Sequence, residues 1–199
     1  MRLEVITGPM FSGKSEELIR RVKRSIIAGQ KVQVFKPAVD TRDGVEYVSS
    51  HDERKIEAIP AASSQEVLEK LNQQTEVVGL DEIQFFDEGI IDVINELVLA
   101  RYVKVIASCL NLDFRTEPFP FKDSKRTVAE VILKADSMVK LSSICTHKIS
   151  NNVICGREAI FSQRMIDGKP APYDSPTFLV GAKEFYEPRC REHHVIKRK

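Results

Sequence analysis

Five short apolar runs alternate with segments of helical periodicity in the first 141 residues of the chain. The apolar runs, which we predict to be strands, occupy positions 3–7, 31–36, 76–81, 102–109 and 137–141. Apolar residues recur at the spacing of a helix face in segments 18–28, 63–73, 88–100 and 128–135. Runs that are apolar throughout are typical of a parallel sheet covered on both faces. The alternation therefore predicts an α/β fold with a mostly parallel sheet and helices on both sides.

A glycine-rich turn joins the first predicted strand to the first predicted helix. Residues 8–15 match the phosphate-binding P-loop pattern Gly-x-x-x-x-Gly-Lys-Ser at every position. In such a loop, backbone N–H groups and the positive end of the helix dipole face phosphate oxygens. We expect Lys14 to contact the β- and γ-phosphates of a nucleoside triphosphate, and the Ser15 hydroxyl to bind Mg²⁺. The predicted nucleotide-binding residues of the loop are Gly8, Pro9, Met10, Phe11, Ser12, Gly13, Lys14 and Ser15.

Acidic residues follow two of the predicted strands. Asp81 ends the run at 76–81 and Glu82 comes next, where P-loop proteins carry the Walker-B aspartate that helps to hold Mg²⁺. Asp40 and Arg42 follow the second strand, at the edge of the sheet where open α/β folds bind ligands. Arg42 could contact phosphate and Asp40 a metal or a hydroxyl group. A solvated charged turn is an equally good interpretation of this pair.

The loop after the fourth predicted strand is rich in aromatic residues. Phe114, Phe119 and Phe121 could form either a packed lid or a nucleobase pocket. Their place at the carboxyl end of a strand favours the pocket. Residues 46–62 are polar and mixed, a pattern compatible with an ordered hairpin or with a mobile loop.

Residues 142–199 differ in composition from the chain before them. They are rich in Gly, Pro, Cys and His and have no long helical period, which predicts a small separate module. We expect a structural zinc ion in it, because metal binding stabilises modules whose apolar core is small. The expected ligands are Cys145, Cys155, Cys190 and His193. His147 or His194 could replace a member of this set, and reduced free thiols are the alternative.

Composition restricts the classes of partner. The chain has 30 basic and 29 acidic residues and a formal net charge of +1, so no electrostatic footprint predicts binding to nucleic acid or to an anionic membrane. No apolar run reaches the length of a membrane span, and the N-terminus lacks the layout of a signal peptide. We therefore expect a cytoplasmic protein, in which disulfides are rare.

Several of these segments, taken in order, resemble the thymidine kinases of the cytosolic type (type II) found in bacteria and animals, and the resemblance covers nearly the whole chain. The segments that carry it are the loop at 8–15, Asp40-Thr41-Arg42, Asp81-Glu82-Ile83-Gln84-Phe85-Phe86, Phe114 with Pro118-Phe119, and Tyr186-Glu187-Pro188-Arg189-Cys190-Arg191-Glu192-His193.

The resemblance implies a RecA-like P-loop core at residues 1–141 and a zinc-binding lasso domain at 142–199 that closes over the nucleoside. It implies ATP-dependent phosphorylation of the 5′-hydroxyl of thymidine, and also of deoxyuridine, in nucleotide salvage for DNA synthesis. ATP, Mg²⁺ and structural Zn²⁺ would be the cofactors. A homotetramer would be the assembly, and dTTP a feedback ligand.

The resemblance also implies roles for individual residues. Glu82 is expected to be the general base and Asp81 the acid linked to Mg²⁺. Further parts of the expected ATP site are Asp40, Arg42 and Gln84. The lasso backbone is expected to hold the edge of the base. The nucleoside pocket is expected to be formed by Met10, Phe85, Leu110, Phe114, Phe119, Ser162, Thr177, Leu179, Val180, Gly181 and Tyr186.

Three positions depart from the family pattern. Asn111 stands where an aspartate is common, and Thr116-Glu117 precede Pro118 where a basic residue is usual. Nine residues separate the first two expected zinc ligands, Cys145 and Cys155, and an inserted loop is our preferred explanation.

Two other functions compete with kinase activity. A P-loop ATPase could use Glu82 to activate water instead of a nucleoside hydroxyl. A nucleotide-gated module could use the zinc cluster to bind nucleic acid, although the near-zero net charge argues against it.

Overall fold

A parallel sheet forms the centre of the N-terminal part of the protein. The computed structural model describes residues 2–39, 47–49, 55–151, 153–178 and 185–198. In chain order, the elements up to residue 140 are β1 (Arg2–Gly8), α1 (Lys14–Ile27), β2 (Val32–Pro37), β3 (Tyr47–Ser49), β4 (Lys55–Glu57), β5 (Ile59–Ala61), α2 (Ser64–Glu69), β6 (Val77–Leu80), a 3₁₀ turn (Ile83–Phe85), α3 (Ile90–Asn95), a π-helical turn (Glu96–Ala100), β7 (Lys104–Leu110), α4 (Ala129–Leu133) and β8 (Ser137–Lys140).

The described strands of this sheet pair in the order β5-β2-β6-β7-β1-β8, and each pairing is parallel. Parallel pairing brings the carboxyl ends of neighbouring strands to one edge of the sheet. In the register of the sheet, Gly8 at the end of β1 lies opposite Leu110 at the end of β7. Leu80 at the end of β6 lies opposite Ala107 of β7. The segments that follow β1, β6 and β7 therefore meet at this edge.

Both faces of the sheet are covered by apolar side chains. On one face, Leu18 and Val22 of α1 pack against Ile6 and Ile106, and the β3–β4 hairpin adds Val48. On the other face, α2, α3 and α4 pack against a larger set of buried residues from the same strands. A sheet buried on both faces explains the continuous apolar runs in the sequence, and the predicted α/β class is confirmed.

The sequence leaves the structure of residues 46–62 open, and their described part forms two separate features. Within the described residues, β3 and β4 form an antiparallel hairpin, and β5 joins the main sheet beside β2. β5 escapes a pattern-based prediction because it is three residues long and contains Pro60. Proline is tolerated there because β5 lies at the edge of the sheet, where one side needs no ladder partner.

The C-terminal region consists of short strands in small antiparallel sheets. Its described strands are β9 (Ser143–Ile144), β10 (Lys148–Ser150), β11 (Val153–Ile154), β12 (Glu158–Ala159), β13 (Phe161–Ile166), β14 (Lys169–Pro170) and β15 (Tyr186–Arg189). β9 pairs with β12, and β13 lies between β14 and β15. The β10–β11 hairpin occupies the chain between Cys145 and Cys155, which accounts for the wide spacing of these two cysteines.

Candidate active site and metal centre

The turn between β1 and α1, which we call the glycine loop (residues 8–15), requires glycine at two points. A Cβ atom on Gly8 would lie 2.6 Å from the carbonyl oxygen of Leu141 and 2.7 Å from Ser12 Oγ. Gly13 has a φ of 79°, in the left-handed region that side chains disfavour. Gly13 also directly precedes the first turn of α1, whose leading N–H groups have no acceptor within the helix. These features are compatible with an anion-binding turn.

Lys14 and Ser15 connect the glycine loop to the end of β6. Lys14 is buried, and its Nζ donates to the carbonyl oxygen of Pro9 at 2.9 Å. Ser15 Oγ lies 3.3 and 3.5 Å from the two carboxylate oxygens of Asp81. The structure therefore brings the loop serine and the acid after β6 together. Hydroxyl and carboxylate oxygens are ligands that Mg²⁺ accepts, so these two side chains fit a magnesium site.

The backbone at Glu82 turns sharply after β6. Glu82 has φ 48° and ψ 51°, a left-handed conformation that costs a non-glycine residue roughly 1–2 kcal/mol. Its backbone N–H donates to Ser108 Oγ at 3.0 Å, and Ser108 Oγ in turn donates to Asp81. Ser108 lies on β7 and is fully buried. One serine thus contacts both the carboxylate of Asp81 and the backbone of Glu82 at the strained turn.

Gln84 fixes the carboxylate of Glu82. Its side-chain Nε2 donates to Glu82, and its Oε1 accepts from the backbone N–H of Leu110 at 3.2 Å. Gln84 is completely buried. Its described contacts are therefore with the acid and with β7.

Three phenylalanine rings form an aromatic cluster beside these acids. Phe85 and Phe119, both expected in the nucleoside pocket, lie 6.3 Å apart between ring centroids. Phe178 packs edge-on against both, at 6.4 Å from Phe85 and 5.6 Å from Phe119. The side chain of Phe178 was not predicted from the sequence, although Phe178 directly follows Thr177 and is aromatic like Phe85 and Phe119. Leu110, at the end of β7, is buried in the same apolar cluster.

Phe114 occupies a different environment from the other aromatic residues of its loop. It is buried beneath two guanidinium groups, with Arg115 4.7 Å and Arg164 5.6 Å from the ring centroid. Burial raises the pKa of Tyr186 on β15, and the nearby charge of Arg164 opposes the rise. These two expected pocket residues thus lie in a region that is rich in arginine.

Ser162 joins the C-terminal sheets to the glycine loop. The backbone N–H of Met10 donates to Ser162 Oγ at 2.9 Å, although the residues are 152 positions apart. Ser162 lies in the middle of the buried part of β13. The contact supports the expectation that both residues take part in one pocket.

The four expected metal ligands lie close together. One ligand atom from each of Cys145, Cys155, Cys190 and His193 can be chosen so that all four lie within 4.8 Å of one another. The Sγ atoms of Cys155 and Cys190 are 3.9 Å apart, and His193 Nδ1 lies 3.4 Å from Cys190 Sγ. Ligands about 2.3 Å from a tetrahedral zinc ion lie roughly 3.7 Å from one another. The set therefore fits a Zn²⁺ site.

The remaining histidines of the region contact rings instead of joining this set. His147 stacks on His193 with ring centroids 4.1 Å apart, and His194 packs against Phe161 at 4.8 Å. Arg157 Nε donates to Cys155 Sγ at 3.2 Å and is the main cause that lowers the pKa of this thiol to about 6. Cys155 is therefore favoured as a thiolate near neutral pH, the form that binds metal.

Five expected site residues lie outside the described part of the chain. They are Asp40, Arg42, Leu179, Val180 and Gly181. Thr177 and Phe178 are the last described residues before positions 179–184. Within the described ranges, each helix falls short of the length and apolarity needed to cross a bilayer.

Comparison with known proteins gives two findings. A family model described as thymidine kinase matches residues 1–194. A curated protein of Thermococcus kodakarensis, named thymidine kinase, is 45% identical to this chain in an alignment that covers 98% of the chain and 94% of the relative.

Proposed function

The chain belongs to the thymidine kinase family, and on this basis we propose that it transfers the γ-phosphoryl group of ATP to the 5′-hydroxyl of thymidine. A bond forms between the 5′-oxygen and the γ-phosphorus. The bond between the γ-phosphorus and the oxygen that bridges it to the β-phosphorus breaks, and ADP leaves. The hydroxyl proton passes to a base on the protein, and the product is the nucleoside 5′-monophosphate.

Glu82 is the proposed base. The observation that carries this assignment is the position of its carboxylate, held by Gln84 at the sheet edge that also bears the glycine loop. A base must reach the hydroxyl proton within hydrogen-bond distance. The strained turn at Glu82, anchored through Ser108, supports a fixed carboxylate in place of one that samples solvent.

The glycine loop is the proposed binding site of the ATP phosphates. Phosphoryl transfer depends mainly on positioning and on neutralising charge that develops on the transferred group. Loop N–H groups, Lys14 and Arg42 would supply this on the protein side, and Asp40 would lie beside the phosphates and the metal. Mg²⁺, held by Ser15 and Asp81, would screen the charge of the phosphate oxygens. The contact between these two side chains supports the assignment.

The proposed acceptor pocket lies between the aromatic cluster and β13. Phe85, Phe119 and Phe178 would form apolar walls for a flat pyrimidine base. The Met10–Ser162 contact would close the side next to the glycine loop. We propose that backbone groups around residues 177–181 hold the base edge, and that deoxyuridine is accepted as well as thymidine. Leu110, Phe114 and Tyr186 complete the proposed pocket residues.

Residues 142–199 are proposed to form the lasso domain that closes over the nucleoside, with a structural zinc ion bound by Cys145, Cys155, Cys190 and His193. Zinc would supply folding free energy to small sheets that have little apolar core. We further propose a cytoplasmic homotetramer that serves nucleotide salvage for DNA synthesis and is inhibited by dTTP.

A panel of nucleosides tests the proposed reaction. The purified protein is incubated with γ-labelled ATP, Mg²⁺ and each of thymidine, deoxyuridine, deoxycytidine, deoxyadenosine and deoxyguanosine. We expect labelled 5′-monophosphate from thymidine and deoxyuridine and little from the others. Phosphate release from ATP that does not depend on added nucleoside would instead identify an ATPase in which Glu82 activates water. Chelation of Mg²⁺ is the control and should abolish transfer.

A further inference from the structure

The segment that carries Phe178 has little regular structure of its own. Between β14 and the end of its described range, the chain forms turns rather than helix or strand. The backbone N–H of Tyr173 donates to the carbonyl of Lys197, and that of Ser175 closes a turn within the segment by donating to the carbonyl of Pro172, each at 3.1 Å. Backbone hydrogen bonds alone therefore tie this segment weakly, and other contacts must set the position of Phe178.

Arg115 supplies those contacts from the aromatic loop of the core. Its Nε donates to the carbonyl oxygen of Tyr173 at 2.7 Å, and its Nη2 to that of Ser175 at 2.6 Å. Its Nη1 donates to Thr177 Oγ1 at 2.8 Å. Each nitrogen of the guanidinium thus contacts a different residue of the segment. Bonds from a charged donor are stronger than those between neutral groups.

Contacts outside the segment also hold the guanidinium in place. Nη1 also donates to Asp113 Oδ2 at 2.9 Å, and Asp113 Oδ1 accepts from the backbone N–H of Arg115 at 2.8 Å. The group lies over the ring of Phe114. The side chain of Arg115 is 16% exposed and that of Asp113 only 1%. A planar group fixed in this way loses little rotational freedom on binding carbonyl oxygens.

The segment leads from Arg115 to the aromatic cluster. Thr177 accepts from Arg115, and the next residue, Phe178, packs against Phe119 and Phe85. Arg164, which is buried, donates to the carbonyl of Pro176 between these contacts. The carbonyls of residues 173, 175 and 176 are thus held by arginine side chains from two different parts of the chain.

We propose that Arg115 is a positioning residue for the acceptor nucleoside: it fastens residues 173–178 to the core and so sets the Phe178 wall of the pocket. The nucleoside substrate in this inference rests on the proposed function, whereas the fastening of residues 173–178 by Arg115 does not. Arg115 touches neither the glycine loop nor Glu82 in its described contacts. Its loss therefore weakens binding of the nucleoside and leaves ATP binding and the chemical step nearly unchanged.

Kinetics of an Arg115→Gln variant test the proposal. Removing two or more charge-assisted bonds to the segment should raise KM for thymidine about tenfold or more. The change in kcat and in KM for ATP should stay within about threefold. Arg126→Gln is the matched control, because Arg126 pairs with Glu130 and Asp92, away from the segment. Equal rises in both KM values, or a fall in kcat at constant KM, would overturn the proposal.

Hydrogen–deuterium exchange separates this proposal from the proposed reaction. In the zinc-loaded protein without nucleoside, Arg115→Gln should speed exchange of the hydrogen-bonded backbone amides of Tyr173 and Ser175 about tenfold relative to Arg126→Gln. Thr177→Val removes one acceptor but leaves the Asp113 pair, so its effect should be smaller and less than additive with Arg115→Gln. Unchanged exchange in these amides refutes the proposed fastening of residues 173–178 by Arg115 even if thymidine is phosphorylated. Faster exchange supports it even if thymidine is not the substrate.

Discussion

The candidate site has two halves that are held in place by different interactions. In the half at the sheet edge, Asp81, Glu82 and Ser108 lie on or directly after strands, and the register of β6 and β7 fixes their spacing. In the C-terminal half, Phe178 lies in a segment of turns that arginine side chains fasten, and a cluster of metal ligands links strands of two to four residues. Backbone pairing positions the first half, and individual side chains position the second.

This difference predicts how each half responds to substitution. A side chain on paired strands can be replaced while the strands remain, so the loss should be confined to the function of that side chain. In the C-terminal half, one side chain orders a whole segment, so its loss should spread along the chain. Three experiments test this comparison, in addition to the Arg115 variants.

The largest expected effect is that of Glu82→Gln. The substitution keeps the shape of the side chain but removes the base, so kcat should fall by about 10²–10⁴-fold, the usual range for general acid–base catalysis. Because the strands around it are unchanged, binding of ATP and of thymidine, measured by calorimetry, should stay near the wild-type values. Glu69→Gln, at an exposed site on α2, is the matched control. Near-normal turnover of Glu82→Gln would refute its role as the base.

The loss of structure after removal of a metal ligand should spread along the C-terminal half. Cys190→Ser should reduce bound zinc from about one ion per chain, as measured by elemental analysis. Amide exchange in β9, β12 and β15 should become about a hundredfold faster, since a structural zinc site contributes several kcal/mol to local folding. Amides of β1, β6 and β7 should keep their protection.

Cys109→Ala provides the control for this experiment. Cys109 is a buried cysteine on β7 whose thiol is held neutral, because burial raises its pKa to about 12. This variant should retain the zinc ion. Wild-type protein that contains no zinc after purification in zinc-supplemented medium would overturn the metal assignment and, with it, this half of the comparison.

The smallest expected effect is that of Ser108→Ala. It leaves the N–H of Glu82 and a carboxylate oxygen of Asp81 without the serine hydroxyl, which should cost about 1–3 kcal/mol of unfolding free energy. We expect kcat to fall about tenfold, since the base would be held less firmly. Denaturant unfolding and steady-state kinetics measure both. Ser142→Ala, at an exposed serine, should change neither. An effect on exchange of residues 173–178 would contradict the separation of the two halves.

Much of the sheet-edge half could be predicted from the sequence. Residues 8–15 and the Asp81–Glu82 pair are short consecutive patterns, and the apolar runs before them identify the strands that carry them. The Ser15–Asp81 contact joins these two patterns, because parallel strands bring the segments after β1 and β6 to one edge of the sheet. Ser108 was missed, although a polar residue inside the apolar run of β7 is a readable signal.

The C-terminal half was predictable only in its ligands. Three cysteines and a histidine in one region indicate a metal site whatever the detailed fold, because few other structures bring such residues together. The role of Arg115 left no such trace. It contacts carbonyl oxygens 58 and 60 residues away in the chain, and a carbonyl oxygen is present at every position of every sequence.

The sequence by itself determined the α/β class, the glycine loop, the acidic pair and the clustering of cysteine and histidine in the C-terminal region, because these depend on local periodicity and on residues with distinctive chemistry. Only the tertiary structure decided that Ser108 joins Asp81 to Glu82, that Gln84 holds the carboxylate of Glu82, and that Phe178 completes the aromatic cluster. It likewise revealed the contacts by which Arg115 fastens residues 173–178 to the core. These contacts join distant parts of the chain through common groups, so their partners are set by packing and not by pattern.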